Sequence, residues 1–297
     1  MAIPYMGSKA AFCGQIFNVI NNFDKNNNKI LVDCFCGGFS VSEYFIKKGW
    51  TVISNDKNKF NIALIKKVTS KEGLGNIEKE FITKDKFNDV KNNPDKYPDW
   101  YVGYILSVWS FGNKQDSYLF SKENEVLKSK AHELVVNCNN EAMSGILPKA
   151  CIDYVLGFDT WGKRRMALQS YIRKNKKHFE LEQLEQLQRL EQLEWLQIYC
   201  RDYKDVPIPE KAIVYCDPPY EKTAKYLVKE FDITEFWEWA RHISKTNSIY
   251  ISSYKCPDDF CSVYSFTDVK KLSQNKATIS KECLFVPKTQ LKKKFNK

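Results

Sequence analysis

The sequence predicts an α/β chain in which a parallel, doubly wound sheet is interrupted by a long, largely helical insert. Two short apolar runs near the start, residues 30–32 and 51–54, each lead into a stretch whose apolar residues recur at helical spacing. That alternation stops between residues 69 and 180, then returns with strand-like runs at 197–200, 213–216 and 248–252 and a helical stretch at 235–243. Strand–helix–strand–helix order requires crossover connections, and these pair the strands in parallel. At 297 residues the chain has room for one main domain carrying a smaller inserted one.

Residues 9–23 place Phe12, Ile16, Val19 and Ile20 at helical spacing, so a first helix should follow a loop at 5–8. After the polar break at 24–29, the run Ile30-Leu31-Val32 ends in the turn formers Gly37-Gly38, and 41–48 resumes helical spacing before Gly49. A second strand at 51–54 ends in Asn55-Asp56 and leads into a helix at 60–68. The expected organisation is therefore a main domain in two parts, 1–68 and 197–297, an insert at 69–180, and a connector at 181–196.

The insert is rich in Asn, Lys and aromatic residues, and its last part, 163–177, holds seven basic residues close to Trp161 and Tyr171. Lys163, Arg164, Arg165, Arg173 and Lys174 are candidates for gripping phosphates. A solvated amphipathic helix would read the same way. In the connector, leucines 181, 184, 187, 190, 193 and 196 recur every three residues, a stripe that drifts by about 60° per step around an α-helix. It matches neither a coiled-coil seam nor one helix face, and reads as a low-complexity helix or connector. The basic end of the chain, LKKKFN, is expected to be a disordered tail.

Forty-six Lys and Arg against thirty-six Asp and Glu give a net charge of +10, which favours an anionic partner such as nucleic acid. No run approaches the roughly 18 apolar residues of a membrane helix, and the N-terminus lacks the apolar core of a signal peptide. The chain is expected to work in the cytoplasm with no membrane partner, as a monomer or weak dimer. Its ten cysteines form no paired CxxC knuckles and its three histidines sit in no ligand pattern, so reduced thiols and no metal are expected.

Three constellations carry chemistry. The glycine loop CFCGGFS, between a strand and a helix, lets a ligand approach the backbone, although a tight structural turn would look alike. Asp56 lies about twenty residues past that loop, where nucleotide-binding folds place an acid on ribose hydroxyls; it could equally cap a helix. The strongest signal is AIVYCDPPY, an apolar strand running straight into Asp217-Pro218-Pro219-Tyr220. Consecutive prolines fix the backbone and remove two amide donors, leaving acceptors directed at whatever occupies the site. An exocyclic amine is a poor nucleophile and needs acceptors for both hydrogens, which Asp217 and the Pro218 carbonyl could supply. Tyr220 offers a flat surface for a base taken out of its stack.

In this order of motifs the chain resembles the Dam-type, D12-class DNA adenine N6-methyltransferases over nearly its whole length. Tyr5-Met6-Gly7-Ser8-Lys9 is similar to the family's opening motif, which implicates Tyr5 and Lys9 in binding S-adenosyl-L-methionine. Asp33-Cys34-Phe35-Cys36-Gly37-Gly38-Phe39 resembles the family's acid-x-F-x-G-x-G cofactor loop, which implicates Asp33, Phe35, Gly37 and Gly38; Asp56 matches the ribose acid and residues 217–220 the DPPY tetrapeptide. Phe39 departs from the pattern by standing where the last glycine is usual. Ser110-Phe111-Gly112-Asn113 and Cys200-Arg201-Asp202-Tyr203 are looser matches. The resemblance implies a Rossmann-like methyltransferase fold with a reversed strand near its C-terminal end. It implies the insert as target recognition domain, duplex DNA as substrate, and a cognate restriction enzyme as a conceivable partner. Cys216, beside the tetrapeptide, has no nucleophilic role in such chemistry. The competing readings are the same transfer to another amine (RNA adenine, cytosine N4 or a protein glutamine) and a catalytically idle DNA-binding relative.

Overall fold

The computed structural model describes every residue except 1–2, 25–27, 76, 175–195, 220–230, 273–275 and 296–297. Its contacts divide the chain into two compact units, one of Met1–Ile3, Gly7–Ile65 and Gln192–Lys297 and the other of Pro4–Met6 and Lys66–Glu191. The expected alternation opens the chain: α1 (Cys13–Phe23), β1 (Ile30–Asp33), α2 (Ser40–Lys47), β2 (Thr51–Asn55) and α3 (Lys59–Val68). Five helices follow, α4 (Lys84–Asn92), α5 (Asp99–Val108), α6 (Lys122–Val135), α7 (Lys149–Leu156) and α8 (Trp161–Lys174). The alternation resumes with β3 (Leu196–Tyr199), β4 (Ile213–Cys216), α9 (Ile233–Ile243), β5 (Ser248–Ser253), β6 (Phe260–Leu272), β7 (Lys276–Pro287) and α10 (Lys288–Phe295).

The seven strands form one sheet in the order β3-β2-β1-β4-β5-β7-β6. The first five pair in parallel, and β7 runs antiparallel to both β5 and β6. From β1 the strand order grows outward in one direction through β2 and β3, and from β4 in the other. The boundary between β1 and β4 is therefore the switch point, where open α/β sheets leave a crevice at the carboxyl ends of their strands. Asp33 pairs in register with Tyr215, so the glycine loop and the Asp-Pro-Pro turn leave the sheet side by side.

Alternation along the strands gives the sheet two apolar faces, each with its own core. Leu31, Val52, Ile213, Tyr215 and Tyr250 pack with Ile16 and Ile20 of α1 and Val41 and Phe45 of α2. Val32, Ile53, Val214, Ile249 and Ile251 pack on the opposite side with Phe236, Trp237 and Ala240 of α9. Each such fully buried side chain contributes roughly 1.5–3 kcal/mol, which is what fixes the strand ends in place. In the second unit, α6, α7 and α8 share a separate core that includes Leu134, Val135, Ile152, Val155, Leu168 and Ile172. Most of the leucine stripe lies outside the described residues; Leu196 is the first residue of β3.

The expectation of a disordered basic tail is corrected. Lys288–Phe295 is a helix, because Leu291 packs against the α1–α2 face and the Gln290 side chain accepts the Ile249 backbone N–H at 2.9 Å.

Phe39 gives the glycine loop its unusual feature. It adopts φ 69°, ψ 10° as the residue that starts α2, a left-handed conformation that glycine takes without strain and a bulky residue rarely takes. Its side chain is wholly buried, so packing holds it there. Replacing it by glycine removes about 1–2 kcal/mol of backbone strain and leaves a core void that costs about 3–5 kcal/mol. Phe39→Gly should therefore lose about 1–4 kcal/mol in urea denaturation, and a more stable variant would show that strain dominates at this position.

Candidate active site

Lys9 is the buried cation around which the carboxyl ends of the central strands are organised. Its ammonium lies 2.7 Å from an Asp217 carboxylate oxygen and 3.2 Å from a Glu282 carboxylate oxygen, and donates to the Gly7 carbonyl at 3.4 Å. Burial acts to lower its pKa, but the two carboxylates outweigh that and hold it above the ordinary lysine value. The Lys9 side chain is 6 % exposed and that of Asp217 17 %, so the carboxylate stays reachable while its counter-ion does not. Where the resemblance places Lys9 on the cofactor, the structure has its ammonium on carboxylates.

Asp217 follows directly on β4, and Pro218 behind it is buried while Pro219 is half-buried. Tyr220 lies outside the described residues. Cys216 is buried, and desolvation together with the hydrogen bond that its S–H donates to Cys34 pushes its thiol well above the ordinary range, so it is an inert core thiol.

The glycine loop is held by side chains from the next strand. Asp56 accepts the Gly37 N–H at 2.9 Å on one oxygen and the Asn58 N–H at 2.8 Å on the other. A carboxylate has about four acceptor positions, so these two bonds leave capacity for ligand hydroxyls. Desolvation raises the Asp56 pKa, although the backbone N–H groups oppose that shift. Asn55 donates to the carbonyls of Cys34 and Arg201, each at 3.1 Å, and accepts the Arg201 N–H at 3.0 Å, joining the loops after β1, β2 and β3. Gly37 itself takes φ 47°, a conformation open to a residue without a Cβ. Phe35 stacks into the α9 face against Tyr203 with ring centroids 5.4 Å apart, which anchors the loop to the core.

Asp33 ends β1 fully buried. One carboxylate oxygen accepts the Ser42 hydroxyl at 2.7 Å, Ser42 in turn accepts from Ser54 at 2.8 Å, and the other oxygen is buried with no hydrogen-bond partner among the described residues. Desolvation, opposed by the Ser42 bond and reinforced by the charges of Asp217 and Asp56, pushes its carboxyl up to about 7. An orphaned carboxylate oxygen and a surplus of acids at this edge fit a ligand that carries positive charge together with hydroxyls. S-adenosyl-L-methionine has that chemistry: a sulfonium, an ammonium and a ribose diol.

Sequence reasoning missed Glu282, which lies on β7, 65 residues after Asp217 and in a run with no motif around it. It also missed Ser42, Ser54 and Asn55, whose roles come only from the register of β1 against β2. Tyr5 is half-buried and groups with the second unit. The basic stretch is mixed. Arg164 faces inward, 8 % exposed, and its guanidinium donates to the carbonyls of Val135 at 2.6 Å, Phe158 at 3.0 Å and Asp159 at 3.3 Å. It ties α8 to the end of α6, so the expectation that it contacts phosphate is withdrawn. Lys163, Arg173 and Lys174 are exposed and Arg165 is partly so. Lys163 pairs with Asp159 at 2.9 Å. Among the described residues, no group of three or more His, Cys, Asp or Glu side chains is arranged to hold a metal ion, and no helix is long and apolar enough to cross a membrane.

A family model, that of the D12 class N6 adenine-specific DNA methyltransferases, matches residues 5–282. No curated protein matches the chain.

The buried Asp33 has a consequence for stability. Its carboxyl titrates near 7 when folded and near 3.8 when unfolded, so between those values the folded protein holds a proton that the unfolded chain has released. Its contribution to stability is present below about pH 4 and lost as pH rises through about 7. Compared with Asp33→Asn, the ligand-free protein should lose up to about 4 kcal/mol between pH 4 and 8, at about 1.4 kcal/mol per unit. Denaturation midpoints of the two proteins across that range should diverge as pH rises; parallel curves would remove the buried proton.

Proposed function

Because the chain belongs to the D12 class N6 adenine-specific DNA methyltransferases, we propose that it methylates N6 of an adenine flipped out of duplex DNA, with S-adenosyl-L-methionine as donor, at one short recognition sequence. The observation that carries this reading is the reachable Asp217 carboxylate at the switch point, fixed by Lys9 and adjacent to the glycine loop. An amino group needs such an acceptor, already oriented, at the carboxyl edge of the sheet.

In this reading Asp33, Gly37, Gly38 and Asp56 hold the cofactor, with Phe35 bracing the loop from behind. Lys9 contacts the cofactor as well as holding the Asp217 carboxylate. When bound, S-adenosyl-L-methionine supplies a methyl group on a cationic sulfur, and the N6 lone pair takes that carbon as the carbon–sulfur electron pair returns to sulfur. Asp217 and the Pro218 carbonyl accept the two N6 hydrogens and hold the lone pair toward the methyl group. Tyr220 stacks on the base. The amine becomes cationic on methylation, so its proton leaves to water afterwards, and Asp217 works by position and charge rather than as a strong base. No covalent link to the protein forms.

The second unit serves as the target recognition domain, and Lys163, Arg165, Arg173 and Lys174 contribute phosphate contacts from α8. The protein acts in the cytoplasm as a monomer or weak dimer, with a restriction enzyme as a conceivable partner.

Single-molecule sequencing of DNA from a methylation-free bacterial strain expressing this chain should show N6-methyladenine confined to one short motif. The same strain with Asp217→Ala should show none, because loss of the acceptor lowers the rate by about 10²–10³-fold or more while duplex binding is largely kept. Unmodified DNA from folded wild-type protein would overturn the reading in favour of RNA or protein as substrate, or of an idle DNA-binding protein. Asp56→Ala should weaken cofactor binding in calorimetry by roughly ten- to a hundredfold, the loss of one or two hydrogen bonds to a charged group; unchanged affinity would strip Asp56 of its role.

A further inference from the structure

In the second unit, α8 carries charge of a single sign. Its 14 residues include Lys163, Arg164, Arg165, Arg173 and Lys174 and no acid. In α6, packed beside it, Lys122, Lys128 and Lys130 are mixed with Glu125 and Glu133, as on an ordinary solvated helix. Successive residues of an α-helix turn by about 100°, so Lys163, Met166, Ser170, Arg173 and Lys174 share one arc of about 100°. All five are exposed, while Leu168 and Ile172 on the other side fill the core shared with α6 and α7.

Met166 is 67 % exposed, more than any other large apolar side chain among the described residues. A lone exposed apolar residue is ordinary; this one stands between cations. Lys163 and Arg173 lie ten residues apart along the face, about 15 Å at the rise of an α-helix. The major groove of duplex DNA is about 12 Å wide, so the two cations span it and meet the phosphate rows on its two sides. Lys163 is paired with Asp159, but both side chains are more than half exposed, and such a surface pair yields readily to a phosphate. Between the cations, Met166 and the short Ser170 lie over the base edges. A flexible thioether chain makes no strong hydrogen bond; its match is the C5-methyl of thymine, the apolar group that base pairs present in the major groove. We propose that α8 enters the major groove of the substrate duplex and that Met166 is a specificity residue, packed on the methyl group of one thymine in the recognition sequence. This rests on the adenine-methylation reading above and assigns part of its sequence readout to the second unit.

Thymine and uracil differ by that methyl group alone, so the contact has a direct test. The full chain is titrated against a fluorescent duplex carrying the methylated motif, with uracil replacing each thymine in turn, and binding is read by anisotropy. Wild-type affinity should fall roughly three- to tenfold at one thymine and stay within about twofold at the others, the effect of one buried methyl group. Met166→Ala should lose a similar factor on the unsubstituted duplex and no longer distinguish thymine from uracil at that position. Lys163→Ala and Arg173→Ala should instead weaken binding to the motif and to an unrelated duplex alike, each lowering the slope of log affinity against log salt by about one. All three substituted side chains are exposed, and circular dichroism checks that the variants keep the wild-type helix content. A wild-type protein indifferent to uracil at every thymine overturns the proposal, a result that needs no variant. So does a Met166→Ala protein that keeps the uracil response. A wild type that leaves DNA unmethylated overturns the function itself, whereas methylation of a motif that Met166→Ala reads unchanged overturns only this inference.

Discussion

Burying an ammonium is among the most expensive things a fold does, and the position of Lys9 dictates much of what surrounds it. An isolated charge in the interior costs several kcal/mol even after relaxation, so it survives only where partners are fixed around it. Here the partners come from three distant parts of the chain: the segment before α1, the turn after β4, and the reversed strand β7. Breaking a buried ion pair by removing one partner costs about 3–5 kcal/mol in comparable cases, and here two carboxylates share the one ammonium. The N-terminal segment, the Asp-Pro-Pro turn and the C-terminal hairpin are thereby tied to one point, which is also the point where the sheet reverses its strand order.

The glycine loop obeys a second constraint. It must turn from β1 into α2 within a few residues while its backbone is held to the neighbouring strand end, and Asp56 and Asn55 make that connection. The turn closes through a left-handed residue. Phe39 meets the requirement by burying its whole ring, so core packing supplies what glycine would have given through backbone freedom. The substitution changes how the conformation is stabilised and leaves the conformation itself in place.

Much of this was legible in the sequence, for definite reasons. Apolar runs and periodicity found β1 to β5 and the helices α1, α2, α3 and α9, because short apolar strands and helices packed on one face are written in local order. Asp56 and Asp217 stood out because each follows directly on such a strand, and Asp33 through the resemblance of its loop to the family's cofactor motif. Glu282 was invisible: its partner is nine residues from the start of the chain, and a lone Glu in a polar strand looks like any solvated acid. Arg164 failed in the opposite direction. Composition made it one of a basic cluster, but the helical phase turns it inward with Leu168 and Ile172, where its donors satisfy carbonyls at the end of α6. The tail was misjudged because three consecutive lysines hid the two residues before them, Gln290 and Leu291, that dock the helix.

Charge is segregated in this chain on two scales, and the two serve different ends. The chain as a whole carries +10, a long-range field that attracts a polyanion and weakens with salt. At the carboxyl edge of the sheet acids gather instead: Asp217 and Glu282 on Lys9, Asp56 on the glycine loop and Asp33 on Ser42. Under the proposed reading the long-range field draws the polyanion to the protein, while the acids at the sheet edge act at short range on the part of a ligand that carries positive charge or hydroxyls.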